Sequence, residues 1–261
     1  MATVTVNSFS EFAAAVAVSG DTVNLPIKAV WDLNDTYPEG YTGNIPINCT
    51  AINGNGTEIR NLHLYGKFVV PADLEINDLF MTNIVGEETA FFDYDVSART
   101  ITANGCIFTG FYGVNTETFC RSSLALNRSV INLDMTAGGY GDITIAGSYT
   151  SQYSRISAMY PQNAGGGFSF GTDAKFCKFN INYLGCRYFS SRPLSGCVVL
   201  GNFGTAYDSN DYGYHGAFVS VFDSAAMDAE FTTDNPYFKG VTYDQMYDAA
   251  YLQSIGFPIG A

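Results

Sequence analysis

The sequence predicts a right-handed parallel β-helix, an all-β, three-sheet solenoid with short capping helices at its N- and C-terminal ends. Three observations predict it. The composition is rich in strand and turn formers and poor in charge. A degenerate unit recurs at steps of one solenoid coil. A capped, one-sided helix stands at the head of the chain, where an open coil needs covering.

Composition comes first. The 261 residues are 47% apolar and 14% charged, enough apolar material for a sizeable core. Aromatics make up 15%, with 20 Phe and 18 Tyr against a single Trp31, and there are 27 Gly. That mixture favours strands and tight corners. Scarce Lys and Arg argue against a helical bundle with a charged face. The formal net charge is −13, and the few basic residues are scattered. No nucleic acid partner is expected, nor unaided binding of a polyanion or an anionic membrane. A basic protein surface would be attracted.

The start MATVTVNSFSEF has neither a basic region nor an apolar core, so no signal peptide is expected. No stretch of about 18 apolar residues exists, so no membrane span is expected. Without a secretory route the sequons at Asn34, Asn48, Asn55 and Asn127 are read as chance. Cys49, Cys106, Cys120, Cys177, Cys186 and Cys197 form no CxxC, and only two His accompany them. They are expected to be buried free thiols rather than metal ligands, and no metal or cofactor is expected.

Three segments follow: a cap at 1–25, coils at 26–205, and a C-terminal loop, strand and helix at 206–261. In the cap, ATVTV alternates as a strand. Ser8 with Glu11 three residues on reads as a capping box, and Phe9, Phe12, Ala13 and Val16 follow at helical spacing. Gly20 supplies the stop, and Thr22-Val23-Asn24-Leu25 begins a strand. A short amphipathic helix here would close the open apolar end of the rod.

In the coils the recurring unit is visible in Ile59–Gly66, Ile76–Asn83, Ala103–Gly110, Phe176–Tyr183 and Ser195–Asn202. Each is a short alternating apolar run bracketed by Asn, Asp or Gly. Leu62 to Leu79 is 17 residues, Leu79 to Cys106 is 27, and Cys177 to Cys197 is 20. Such steps match three short strands plus three corners. Asn and Gly tolerate the left-handed corner conformation, and Gly138-Gly-Tyr-Gly141 and Gly165–Gly167 read as corners swollen into loops. An antiparallel sandwich also has many short strands, but it calls for two-residue hairpin turns. Only Asn53-Gly54, Asn55-Gly56 and Asn104-Gly105 offer them, and the last lies inside the repeat. Beyond Gly204, Tyr207–Gly216 reads as a polar aromatic loop and Ala217–Phe222 as a strand. Thr242–Ser254 reads as a helix, with Thr242 as cap, Gln245 completing a capping box, and Leu252 on the apolar side.

On these residues, over about 3–205, the chain resembles the pectin-lyase-like parallel β-helix superfamily. With the terminal Tyr251–Pro258 it is similar to short β-helix virion proteins of tailed bacteriophages. The resemblance implies capsid decoration or cement proteins, head fibres and receptor binders, or depolymerases.

For catalysis, Asp93 with Asp95, and Asp208 with Asp211, are candidate carboxylate pairs, since glycoside hydrolysis needs two within about 5–10 Å. Solvated acids at a coil corner are the favoured reading of both. His215 shares only part of a Gly-His-Gly motif, and Arg192-Pro193 only part of an Arg-x-Pro element. No nucleophile elbow or phosphate loop occurs. No catalytic residues are assigned. The tyrosines Tyr140, Tyr149, Tyr153, Tyr160, Tyr207, Tyr212 and Tyr214, read as lying in polar loops, are the candidate interaction residues, because a docking Tyr loses little side-chain entropy. Lids folded over the core are the alternative reading of these loops. The expected function is a non-enzymatic virion protein, most of all a capsid decoration or cement protein. It would be made without a signal peptide and bind shell subunits, with trimeric self-association open. A glycan- or receptor-binding rod and a depolymerase are the alternatives.

Overall fold

The computed structural model describes residues 2–93, 99–114, 118–134, 144–159, 173–175, 177–182, 194–202, 214–221, 238–240, 244–245, 248–254 and 257. These form a parallel β-solenoid, as the sequence predicts.

Three ladders run along it. The first joins β1 (Thr3–Thr5), β2 (Thr22–Asn24), β5 (Ala51–Asn53), β8 (Leu74–Asn77) and β11 (Thr100–Asn104), then the later parts of β13 (Thr118–Asn127) and β15 (Thr144–Gln152). The second joins β3 (Val30–Asp32), β6 (Glu58–Leu64), β9 (Phe80–Gly86), β12 (Ile107–Gly113), β14 (Val130–Asp134), β16 (Arg155–Met159) and β18 (Lys178–Asn182). The third joins β4 (Ile45–Pro46), β7 (Phe68–Val69), β10 (Ala90–Asp93) and the first parts of β13 and β15. All of these pairings are parallel. In-register stacking lets each inward column build a continuous core. Val23, Ile52, Ile76, Ala103 and Leu126 line one column, and Ile59, Met81, Phe108, Ile131, Ile156 and Phe179 another. Phe91, Phe92, Phe108 and Phe111 surround Phe119 at ring-centroid distances of 5.3–6.3 Å.

The corners carry the sequence signature. Asp78, Gly105, Arg128 and Tyr153 each follow the first ladder as a single residue at positive φ (48°, 63°, 51° and 49°). Just before this corner an asparagine ladder climbs the coils. The Asn53 amide donates to Asn24 Oδ1 (2.8 Å), Asn77 to Asn53 (3.1 Å), Asn104 to Asn77 (2.9 Å) and Asn127 to Asn104 (3.5 Å). The sequence steps between them, 29, 24, 27 and 23, are the true coil lengths. The units Ile76–Asn83 and Ala103–Gly110 align in register, as the repeat predicts. Ile59–Gly66 does not: Ile59 lies opposite Met81 and Leu62 opposite Ile84, so the 17-residue step from Leu62 to Leu79 is not a coil.

At the N-terminal end, α1 (Phe9–Val16) begins with Ser8 Oγ accepting from the Glu11 N–H (3.2 Å), while Glu11 Oε2 accepts from the Asn7 N–H (2.8 Å). The capping box is therefore present, its return bond displaced by one residue. Phe9, Phe12 and Val16 are buried, and the rings of Tyr37, Tyr41 and Trp31 pack on Phe9 and Phe12. Strand direction changes only late. β19 (Leu194–Asn202) still runs parallel to β18, but β20 (Tyr214–Val221) is antiparallel to β19, and β21 (Phe238–Gly240) to β20. β20 includes most of the expected Ala217–Phe222 strand. The last helix spans Ala249–Ser254. Its cap is Asp248, whose Oδ1 accepts from the N–H groups of Ala250 (2.9 Å) and Tyr251 (3.1 Å). A helix over Thr242–Ser254 capped at Thr242 was expected; Thr242 lies outside the described residues. Asp244 and Gln245 are helical, with Asp244 O accepting from the Asp248 N–H (3.1 Å), and the Asp248 carboxylate then starts a fresh turn by satisfying two free N–H groups. Leu252 is buried as expected.

Candidate functional site

The second ladder bends partway along each strand, and that bend builds the concavity on this face. Asn61 and Asn83 stand at positive φ (57° and 56°), with Gly110 at 65° in the next coil. Each therefore turns the chain between an outer-strand half and a second half, Leu62–Leu64 in β6 and Ile84–Gly86 in β9. One coil further the bend is lost: β12 and β14 pair with a register shift between Phe108 and Phe111. A short helix, α2 (Leu33–Thr36), capped by Asp32, sits at the first coil beside this bend.

The resulting concavity, about 390 Å³ and open to solvent, is lined by Asn34, Asn61, Leu62, His63, Asn83 and Val85. Its polar groups are tied together coil to coil. The Asn83 amide donates to Asn61 Oδ1 (2.6 Å), and the Asn61 amide to Asp32 Oδ1 (2.8 Å). Asp32 Oδ2 pairs with Arg60 Nε (2.9 Å). Donation from Asn61, opposed by desolvation and reinforced by Arg60, holds the Asp32 carboxyl below its ordinary range. His63 Nε2 contacts Glu87 Oε1 at 2.8 Å, and its ring stacks on Tyr65 with centroids 4.4 Å apart. Tyr65 is 45% exposed. In the same outward row, register aligns His63 with Val85 and then with Tyr112, which is 37% exposed.

None of these residues was a site candidate from the sequence: Asn34 stood out only as a sequon and Leu62 only as a repeat position. The available signal was Asn two residues after an inward apolar position, in Ile59-Arg60-Asn61 and Met81-Thr82-Asn83. It marks a corner before it marks a site.

The sequence candidates fall elsewhere. Asp93 is not a solvated corner acid. It ends β10, is 4% exposed, and pairs with Lys67 Nζ at 2.7 Å and Arg121 at 3.6 Å. Buried between two cations, it serves as a structural counter-ion that ties neighbouring coils together. Asp95, Asp208, Asp211 and Arg192-Pro193 lie outside the described residues. His215 lies in β20 opposite Gly201. Of the tyrosines, Tyr140, Tyr160, Tyr207 and Tyr212 lie outside the described residues. Tyr149, in β15 opposite Leu124, and Tyr214, in β20 opposite Asn202, are in strands rather than loops, whereas Tyr153 stands at positive φ in the two-residue corner before β16.

Cys49, Cys106, Cys120 and Cys177 are buried free thiols, as expected; Cys186 lies outside the described residues. Burial pushes the Cys49 thiol up to about 11 and those of Cys106 and Cys120 up to about 12. Among the described residues no three His, Cys, Asp or Glu side chains converge as metal ligands would, and no helix is long and apolar enough to cross a membrane. Comparison of the chain with protein-family models, curated proteins and solved structures returned no match.

Proposed function

We propose that this chain is a non-enzymatic structural protein of a tailed-bacteriophage virion, a decoration or cement subunit that binds neighbouring shell proteins. The observation that carries this reading is the architecture itself. Three parallel ladders, tied by side-chain bonds from coil to coil, make a stiff rod whose outward residues keep fixed spacing. Such a surface suits repeated protein contact, and the net charge of −13 suits a partner face bearing Lys and Arg. The burial of Asp93 and its pairing with Lys67 and Arg121 weigh against the depolymerase alternative at that position, because a carboxyl so enclosed and occupied is not presented to a glycan. A mass-spectrometric inventory of purified particles tests the reading. Copy number comparable to the shell protein is expected. Absence from particles of the encoding phage would refute it, and a few copies per particle would move the protein to a tail or fibre.

A further inference from the structure

We infer that the bend in the second ladder is a binding site for a neutral oligosaccharide, held without cleavage. The inference does not rest on where the rod is mounted or on what protein it contacts.

The lining selects the ligand class. The concavity is shallow and open, and three of its six lining residues are asparagines. An apolar ligand needs enclosure to gain from burial, whereas a hydroxylated one gains from amides that both donate and accept. Asn61 is spent on Asp32 and Asn83. Asn34, exposed at the start of α2, and the Oδ1 of Asn83 remain as the hydrogen-bonding groups nearest a ligand. Val85 supplies an apolar floor, and His63 supplies a ring. Tyr65 backs that ring and Glu87 fixes its orientation, so little rotamer freedom is lost when a ligand stacks on it.

Charge narrows the choice. Both ionic groups beside the bend, Asp32 with Arg60 and His63 with Glu87, are matched internally. No unmatched cation lines the concavity to hold a uronic acid, sulfate or phosphate, and a chain of net charge −13 repels a polyanion. Along the rod, Val85 separates His63 from Tyr112, placing the two outward rings two coils apart, about 10 Å at the spacing of parallel strands. That interval is close to the repeat of an extended disaccharide, so a chain lying along the axis could meet both rings.

The test uses the full chain and its Asn34→Ala, His63→Ala and Tyr112→Ala variants, each checked for native circular dichroism. These are titrated calorimetrically with neutral hexasaccharides built from glucose, mannose, galactose and N-acetylglucosamine, and with polygalacturonate as the anionic control. The expected result is binding of at least one neutral hexasaccharide with its chain length unchanged afterwards. Affinity should fall at least about 5-fold in Asn34→Ala and His63→Ala and by a smaller factor in Tyr112→Ala. No binding to any neutral sugar, binding unaffected by Asn34→Ala and His63→Ala, or preference for polygalacturonate would each overturn the inference. None of these outcomes bears on the particle inventory.

Discussion

Replacing Asn77 by Ala removes the middle rung of the asparagine ladder, and the geometry fixes what should follow. Asn77 both donates to Asn53 (3.1 Å) and accepts from Asn104 (2.9 Å), so two side-chain bonds vanish. At about 1 kcal/mol net for each hydrogen bond, the loss is about 2 kcal/mol, reduced toward 1.5 because the site is only half-buried and water replaces part of it. Asn24 only accepts within the ladder, at 2.8 Å, so Asn24→Ala should cost about 1 kcal/mol. Asn127 is exposed and donates at 3.5 Å, so Asn127→Ala should stay below about 0.5 kcal/mol. Urea unfolding of the three variants against the parent chain is the assay. The midpoint for Asn77→Ala should fall by roughly 0.5 M or more at a slope near 3 kcal/mol per M. Amide hydrogen exchange at Gly54 and Asp78, whose N–H groups bond to neighbouring coils, should quicken in Asn77→Ala. Equal losses for Asn77→Ala and Asn127→Ala, or no measurable loss for Asn77→Ala, would show that the ladder is geometry without energy.

Four further expectations follow. Folded Cys106 and Cys120 keep their protons up to about 12, while in the unfolded chain the thiols ionise near 9. Stability from this source is therefore complete below pH 9 and is lost as pH rises toward 12, at about 1.4 kcal/mol per pH unit for each thiol. Urea midpoints at pH 8, 9 and 10 under reducing conditions should fall accordingly, and a flat profile would contradict it. The Asn53-Gly54, Asn55-Gly56 and Asn104-Gly105 steps are prone to deamidation by attack of the Gly nitrogen on the Asn side chain. Here those Gly N–H groups bond to the next coil at 2.6, 2.8 and 2.9 Å. With the Asn amides engaged as well, deamidation should run at least roughly 30-fold slower in the folded chain than in urea, since local opening must come first. Peptide mapping for isoaspartate reads this directly. Lys67→Met removes the nearer partner of buried Asp93 and should destabilise by about 2–4 kcal/mol, with Lys67→Arg recovering much of it. Phe119→Ala opens a void amid four rings and should cost about 3–5 kcal/mol in the same urea assay.

The rod was legible in the sequence because its corners obey simple chemistry. A residue at positive φ favours Asn, Asp or Gly, and such residues stand at Asp78, Asn83, Gly105 and Gly110, within the two units that align. The same chemistry caused the one misreading of register. Ile59-Arg60-Asn61-Leu62 and Ile76-Asn77-Asp78-Leu79 look alike because both turn a corner after an inward residue, yet they turn different corners. The string records the corner, not which of them it is. The concave bend was invisible for a related reason. Asn34, His63 and Asn83 are far apart in sequence, and only coil lengths of 29, 24 and 27, which no local pattern fixes, bring such residues onto one face. Asp93 was misjudged because its partners Lys67 and Arg121 lie one coil away on either side.

The reversal of chain direction at β20 also limits what the molecule can become. Every preceding rung offers a template that a like-oriented segment could extend without limit, the geometry on which amyloid growth depends. Once β20 lies across that template the other way round, the edge of β19 is covered and a like-oriented strand finds no parallel partner on it. Growth by indefinite stacking is thereby discouraged at that terminus, and a protein made almost wholly of sheet can stay a unit of defined length.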